Sequence, residues 1–126
     1  MAKAFVKFQV PKDLNDKVLQ LVETVKSTGK LRRGINETAK SVEHGSAKMV
    51  VIAEDIEPEE IAMHLPILCE EKKIHYIYVQ SKLELGRASG IDVQSAAIAL
   101  LDIGEGKDLF SEIVSMIEKL KKSPAG

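Results

Sequence analysis

Between Leu31 and Gly45 the chain reads Leu-Arg-Arg-Gly-Ile-Asn-Glu-Thr-Ala-Lys-Ser-Val-Glu-His-Gly, and side chains able to do chemistry crowd its first half. A helix opening near Ile35 puts Ile35, Ala39 and Val42 on one apolar stripe at i, i+4, i+7. Asn36, Glu37, Lys40 and His44 then share the opposite, wet face. A carboxylate accepts from guanine N–H groups, an amide donates and accepts, and an ammonium reaches a carbonyl or a phosphate. Base edges can therefore satisfy all three. Arg32, Arg33 and Gly34 stand at the mouth of the helix, where guanidinium groups and unbonded backbone N–H groups suit phosphates. The chemistry is that of a reader of structured RNA. The plainer reading is a solvated helix face whose Glu37–Lys40 pair is worth about 0.2–0.5 kcal/mol, and spacing alone favours it.

The elements that must hold these residues alternate along the chain. Phe5–Val10 has a strand-like or extended look, ended by Pro11. Asp13 is a candidate N-cap for a helix whose Leu14, Val18, Leu21, Val22 and Val25 fall at i, i+4, i+7, i+8, i+11, with Gly29 ending it. A short strand over Lys30–Arg32 leads into the Asn36–His44 helix. Met49–Ala53 is a continuous apolar run, the mark of a strand covered on both faces. Pro58 at a first helical position predicts a helix from Glu59 to about Lys72, kinked at Pro66. His75–Val79 is the next strand. Ser81 can cap a short helix over Lys82–Ser89 that Gly90 stops. Ala96–Leu101 reads as a strand, and Leu109–Lys121 as an amphipathic helix with Phe110, Ile113, Ile117 and Leu120 inward. The tail Ser123–Gly126 is expected to fray. This order predicts a single domain over 1–126, a three-layer α/β/α sandwich around a small mixed sheet.

Composition narrows the function. A hydrophobic share of 44% in 126 residues excludes a disordered chain and allows one sizeable core. Tryptophan is absent and aromatic residues are only 4%, so no aromatic platform for stacking bases is available. A net charge of −1 argues against a nonspecific nucleic-acid coat. The basic residues are nonetheless local: Lys30, Arg32, Arg33 and Lys40 gather at one helix start, with Lys82 and Arg87 as later candidates. Acid collects at Glu54, Asp55, Glu57, Glu59 and Glu60, and again at Glu70 and Glu71. The single cysteine, Cys69, fits a reducing cytoplasm. Nothing near Met1 resembles a signal peptide, and no apolar run nears the roughly 18 residues that span a bilayer, so no membrane partner is expected.

Other constellations carry less. Leu85-Gly86-Arg87-Ala88-Ser89-Gly90-Ile91-Asp92-Val93 can be an ordinary connection whose Ile91 and Val93 tuck into the core, or an apolar loop tip pressed on unstacked bases; spacing favours the former. His44, His64, His75 and Cys69 lack the spacing of a zinc site. His64 reads as a partly buried packing histidine. Glu54 and Asp55 could do acid–base work, but no partner group is identifiable near them. No phosphate-cradling glycine loop, nucleophile elbow or Cys–His pairing occurs. The expectation is a binding protein with no catalytic residues, metal or cofactor.

Taken together, Leu31–Lys40, Val51-Ile52-Ala53-Glu54-Asp55 with Pro58, His64–Glu71 and Leu85–Ile91 resemble the archaeal ribosomal L-seven-Ae family of kink-turn-binding proteins. Four motifs in order, over nearly the whole chain, make the resemblance specific. It implies binding to kink-turn and kink-loop RNA, a duplex bent sharply at a bulge followed by tandem sheared G·A pairs. The resemblance implies that Asn36, Glu37 and Lys40 read the G·A pairs, with the Gly34 backbone close by. It implies a pocket of Glu57, Ile61 and Lys82, floored by Ala96, for a flipped-out nucleotide, and a covering loop at Ile91-Asp92-Val93. Implied partners are ribosomal RNA of the large subunit, box C/D and H/ACA guide RNAs, ribonuclease P RNA, and the proteins that assemble on the bent RNA; the protein itself is expected to be a monomer. The chain departs from the family pattern in Ile35, bulkier than the usual residue, in His44 where arginine is usual, and in Gln94-Ser95, which lacks a frequent proline. The apolar-acid-apolar Ile91-Asp92-Val93 resembles the archaeal members. The runner-up is a small α/β module that binds a nucleotide or a protein at the same helix start.

A small basic cluster neutralises only a few phosphates. The logarithm of the RNA binding constant should therefore fall against log salt with a slope of roughly −2 to −4. Titration at several salt concentrations measures it, and a slope near −8 would mean a long electrostatic track instead.

Overall fold

The computed structural model describes residues 9–57, 60 and 62–122. The expected opening strand, Phe5–Val10, lies outside them except for Gln9 and Val10, which are not in a strand; Pro58, Glu59, Ile61 and the tail from Ser123 lie outside as well. In chain order the elements are α1 Lys12–Thr28, β1 Lys30–Arg33, α2 Ile35–Glu43, β2 Met49–Ala53, α3 His64–Lys72, β3 His75–Val79, α4 Lys82–Ala88, β4 Ala97–Asp102 and α5 Lys107–Lys122.

The strands form one sheet in the order β1-β4-β2-β3. β4 is antiparallel to both of its neighbours, whereas β2 and β3 run parallel. Helices α1, α4 and α5 pack together on one side of the sheet, and α2 and α3 pack against each other on the other. This is the expected three-layer sandwich with a mixed sheet. Every residue of β2 is buried, as its unbroken apolar run requires of an inner strand with helices on both faces. β3 lies at the edge of the described sheet, yet Tyr76–Val79 are fully buried, because α1 and α5 pack on one face of it and α3 on the other. Tyr76 and Tyr78 meet edge to face there, 6.0 Å apart.

Periodicity placed the inward helix faces well. Leu14, Val18, Leu21, Val22 and Val25 of α1 are all buried, as are Ile113 and Ile117 of α5, with Phe110 and Leu120 packed against the core. Caps were harder to place. Asp13 does not cap α1; the helix begins at Lys12 with Pro11 as N-cap, and the Pro11 carbonyl accepts the Asn15 N–H at 2.9 Å. Asp13 instead sits in the first turn, where a carboxylate suits the positive end of the helix dipole.

The helix expected from Glu59 starts at His64. Pro66 is therefore its third residue, in the turn whose N–H groups have no intrahelical acceptor, and no kink is needed. His64 is exposed and not a packing histidine, because Leu65, Pro66 and Cys69 supply the buried face. α3 closes with a Schellman turn: Ile74 N–H donates to Cys69 O at 2.8 Å and Lys73 N–H to Glu70 O at 3.3 Å.

That turn leaves Lys73 left-handed, at φ 59 and ψ 42, where an L-residue pays about 1–2 kcal/mol in steric strain. Lys73→Gly removes the strain, and against glycine's larger unfolded-state entropy it should raise stability by about 0.5–1 kcal/mol. Urea denaturation of the two proteins checks this; a loss of stability would contradict it.

Candidate nucleic-acid interface

The strand register gathers the candidate residues at one end of the sheet. Arg33, the last residue of β1, lies opposite Ile98; Ile52, near the end of β2, lies opposite Ala97; and Ala53 stands beside Val79 at the end of β3. The carboxyl ends of three strands thus meet the start of β4. α2 and α4 both begin at this end, directly after β1 and β3. Ligand sites of open α/β sheets form at such strand ends.

At the entrance to α2, Gly34 adopts φ 97 and ψ 153, a conformation costly for any residue with a Cβ. Its N–H donates to Ala97 O at 2.8 Å, and its carbonyl accepts from Thr38 N–H at 2.9 Å. The helix start is so pinned to β4. No side chain caps α2, so its first amide groups keep hydrogen-bonding capacity for a ligand. Thr38, Ala39, Ser41 and Val42 are buried, while Asn36, Glu37 and Lys40 are exposed on the other face. Glu37 and Lys40 stand 3.8 Å apart, both about half exposed or more; so wet a pair is weak and easily exchanged for ligand contacts.

Positive charge continues beside this entrance. A groove of about 420 Å³ between the end of α1 and β1 is lined by Lys26, Lys30, Arg32 and Arg33 with Leu31 and Leu101. It holds four cations and no carboxylate. Arg33 does not point freely into solvent: its Nε donates to Ser89 Oγ at 3.0 Å, and its Nη2 donates to the Ser89 carbonyl.

α4 carries two caps. Ser81 Oγ accepts the Glu84 N–H at 3.2 Å, as expected, and Asp55 Oδ1 accepts the Lys82 N–H at 2.9 Å. Asp55 is thereby a structural carboxylate that joins the β2 end to the start of α4. Its neighbour Glu54 has its pKa raised, first by burial and then by the adjacent Asp55 charge. Among the implied pocket residues, Glu57 is exposed, Lys82 and Ala96 are half-buried, and Ile61 lies outside the described residues.

The loop 91–95 runs back along α4. Ile91 N–H donates to Gly86 O at 3.1 Å and Ser95 N–H to Lys82 O at 2.9 Å. Ala96 O then accepts the Ala53 N–H at 2.9 Å. Gly86 is required by proximity: a Cβ there would lie 1.9 Å from the Val93 carbonyl oxygen. The lone glycine inside a helix was the available sequence signal for this close approach; Ser89, the partner of Arg33, carried none. Val93 does not tuck into the core. It is 62% exposed, next to exposed Asp92, while Ile91 is half-buried. Among the described residues no group of three His, Cys, Asp or Glu could hold a metal ion, and no helix is long and apolar enough to cross a membrane.

The model of the ribosomal protein L7Ae/L30e/S12e/Gadd45 family matches residues 16–110. Among solved structures, the 15.5kD RNA binding protein of Giardia lamblia is 31% identical to this chain, over 96% of this chain and 98% of that one, with a TM-score of 0.80.

The loop geometry separates two substitutions. Gly86→Ala drives a methyl group into a backbone carbonyl and should cost about 1–3 kcal/mol of stability. Val93→Ala should change stability by less than about 0.5 kcal/mol, because the side chain is exposed. Thermal melts of both variants check the pair; a large loss in Val93→Ala alone would place that side chain in the core.

Proposed function

The chain belongs to the ribosomal protein L7Ae/L30e/S12e/Gadd45 family, and from that membership we propose that it is an RNA-binding protein that recognises kink-turn and kink-loop RNA. The observation that carries the proposal is the convergence of an uncapped helix entrance, an exposed Asn36–Glu37–Lys40 stripe and a backbone-anchored loop at one end of the sheet. The RNA-binding neighbour supports it.

Glu37 accepts guanine N–H groups, Asn36 donates and accepts across the adjoining base, and Lys40 reaches a carbonyl or phosphate. The Gly34 backbone lies against the RNA, and Arg32 supplies charge for the phosphates beside it. Regular A-form RNA closes its major groove to side chains, so this stripe can reach base edges only where a bend opens the groove. Glu57, Ile61, Lys82 and Ala96 take the flipped-out nucleotide, and Ile91-Asp92-Val93 covers it. The protein binds only the bent form and so shifts the RNA toward it. No bond is made or broken.

By the same resemblance, the RNAs are those of the large ribosomal subunit, of box C/D and H/ACA guide particles and of ribonuclease P, where the bent RNA presents a surface to later proteins. A monomer in the cytoplasm suits this role.

A gel shift tests the reading with a kink-turn duplex and the same duplex lacking its bulge. Wild-type protein should bind the first and not the second. Glu37→Ala leaves guanine donors unpaired in the complex and should cost about 2 kcal/mol of binding, or roughly thirtyfold in affinity, with an unchanged melting temperature. Equal affinity for the straight duplex, or tight binding by a folded Glu37→Ala protein, would overturn it.

A further inference from the structure

Arg32 and Arg33 are neighbours in sequence and both border the groove between the end of α1 and β1, but their side chains are differently engaged. Among the described residues, the Arg32 side chain makes no ion pair or hydrogen bond. Arg33 is committed. Its Nε and Nη2 leave the guanidinium as a fork and both end on Ser89, one on the hydroxyl and one on the carbonyl. A planar fork is pre-organised for such two-point contacts, and little freedom is lost in making them.

Ser89 is no ordinary surface acceptor. It is fully buried and caps the end of α4, with its N–H on Leu85 O and Gly86 O and its hydroxyl donating to Gly86 O at 2.7 Å. The 91–95 loop leaves from the next turn and is bonded back onto α4 at Gly86 and Lys82. α4 and the loop are thus bonded together, with Ser89 at the joint between them. Lys26 lays its side chain over Gly90 at the same place. Arg33 sits on a separate segment, immediately before the pinned Gly34. Its fork joins two segments 56 residues apart in sequence, one bearing the Asn36–Glu37–Lys40 stripe and the other bearing Val93.

We propose that Arg33 is a positioning residue: it braces the Ile91–Val93 loop against the entrance to α2 and makes no phosphate contact of its own. This rests on the RNA-binding reading above, but it assigns the two arginines different work. Arg32 contributes charge to the phosphates. Arg33 sets the distance between the base-reading helix and the loop, and with it the spacing between the paired and the extruded nucleotides that the site accepts.

Glutamine discriminates between brace and charge. Its side-chain nitrogen stands the same number of bonds from Cα as the Nε of arginine, so Arg33→Gln keeps a donor for Ser89 Oγ while removing the charge. In the RNA-free protein, hydrogen exchange at the Ile91 and Ser95 amides should quicken in Arg33→Ala and stay near wild type in Arg33→Gln. With a kink-turn duplex, Arg33→Gln should bind within about threefold of wild type and Arg33→Ala about tenfold more weakly, both with an unchanged salt slope. Arg32→Ala should make the slope shallower by about 1. Unchanged exchange in Arg33→Ala would overturn the brace. So would an Arg33→Gln protein as weak as Arg33→Ala with a slope shallower by about 1, which would make Arg33 a phosphate ligand. Exchange is read without RNA, and wild-type binding is read in the same titration, so failure of the RNA-binding reading itself appears separately as a wild-type protein that does not bind.

Discussion

β4 is the strand on which every other feature hangs. It enters the sheet between β1 and β2 and runs against both, which brings its beginning to the ends of its neighbours. Three backbone bonds radiate from that insertion: Gly34 N–H to Ala97 O, Ala53 N–H to Ala96 O, and Lys48 N–H to Leu100 O. The first fixes where α2 starts, the second fixes the turn after β2, and the third ties the chain that enters β2. Remove β4 and the polar stripe of α2 has no fixed relation to the loop or to Lys82. The site is a property of the sheet, although nearly all its side chains lie on helices and loops.

Rigidity at this end comes from backbone bonds and close contacts more than from apolar packing. The 91–95 loop is held by two backbone hydrogen bonds, from the Ile91 and Ser95 amides, and lies close because Gly86 has no Cβ. α4 is held at its start by Ser81 and Asp55 together. Such anchoring leaves side chains free: Val93, Asp92, Asn36, Glu37 and Lys40 are all exposed on a frame that does not need them. A surface built this way can be tuned to a ligand with little effect on stability.

Much of this was legible in the residue order, and the exceptions have physical causes. The apolar runs at Met49–Ala53 and His75–Val79 matched their strands to the residue, because an inner or covered strand tolerates no polar interruption. The stripe of α2 was equally clear, since helical periodicity is a local property. Helix starts were less so: Pro11, and not Asp13, stands at the N-cap of α1, and α3 starts at His64 with Pro66 in its first turn, where the sequence suggested a start at Glu59. The strand order was out of reach, because it depends on pairings between segments distant in the chain. The partner of Arg33 was hidden for the same reason. An arginine beside a candidate site reads as a phosphate ligand until its acceptor, 56 residues later, comes into view.

The late position of β4 also shapes how the molecule comes into being on the translating ribosome. β1 and α2 emerge early, yet among the described residues β1 pairs with β4 and with no other strand. Until Ala97–Asp102 has left the exit tunnel, the first part of the chain can form its local helices but cannot close its sheet, since such long-range pairing must wait for its distant half. The surface bearing Asn36, Glu37 and Lys40 is therefore assembled only when most of the protein has been made. A chain cut short before that strand carries the right side chains without the pairing that sets their geometry.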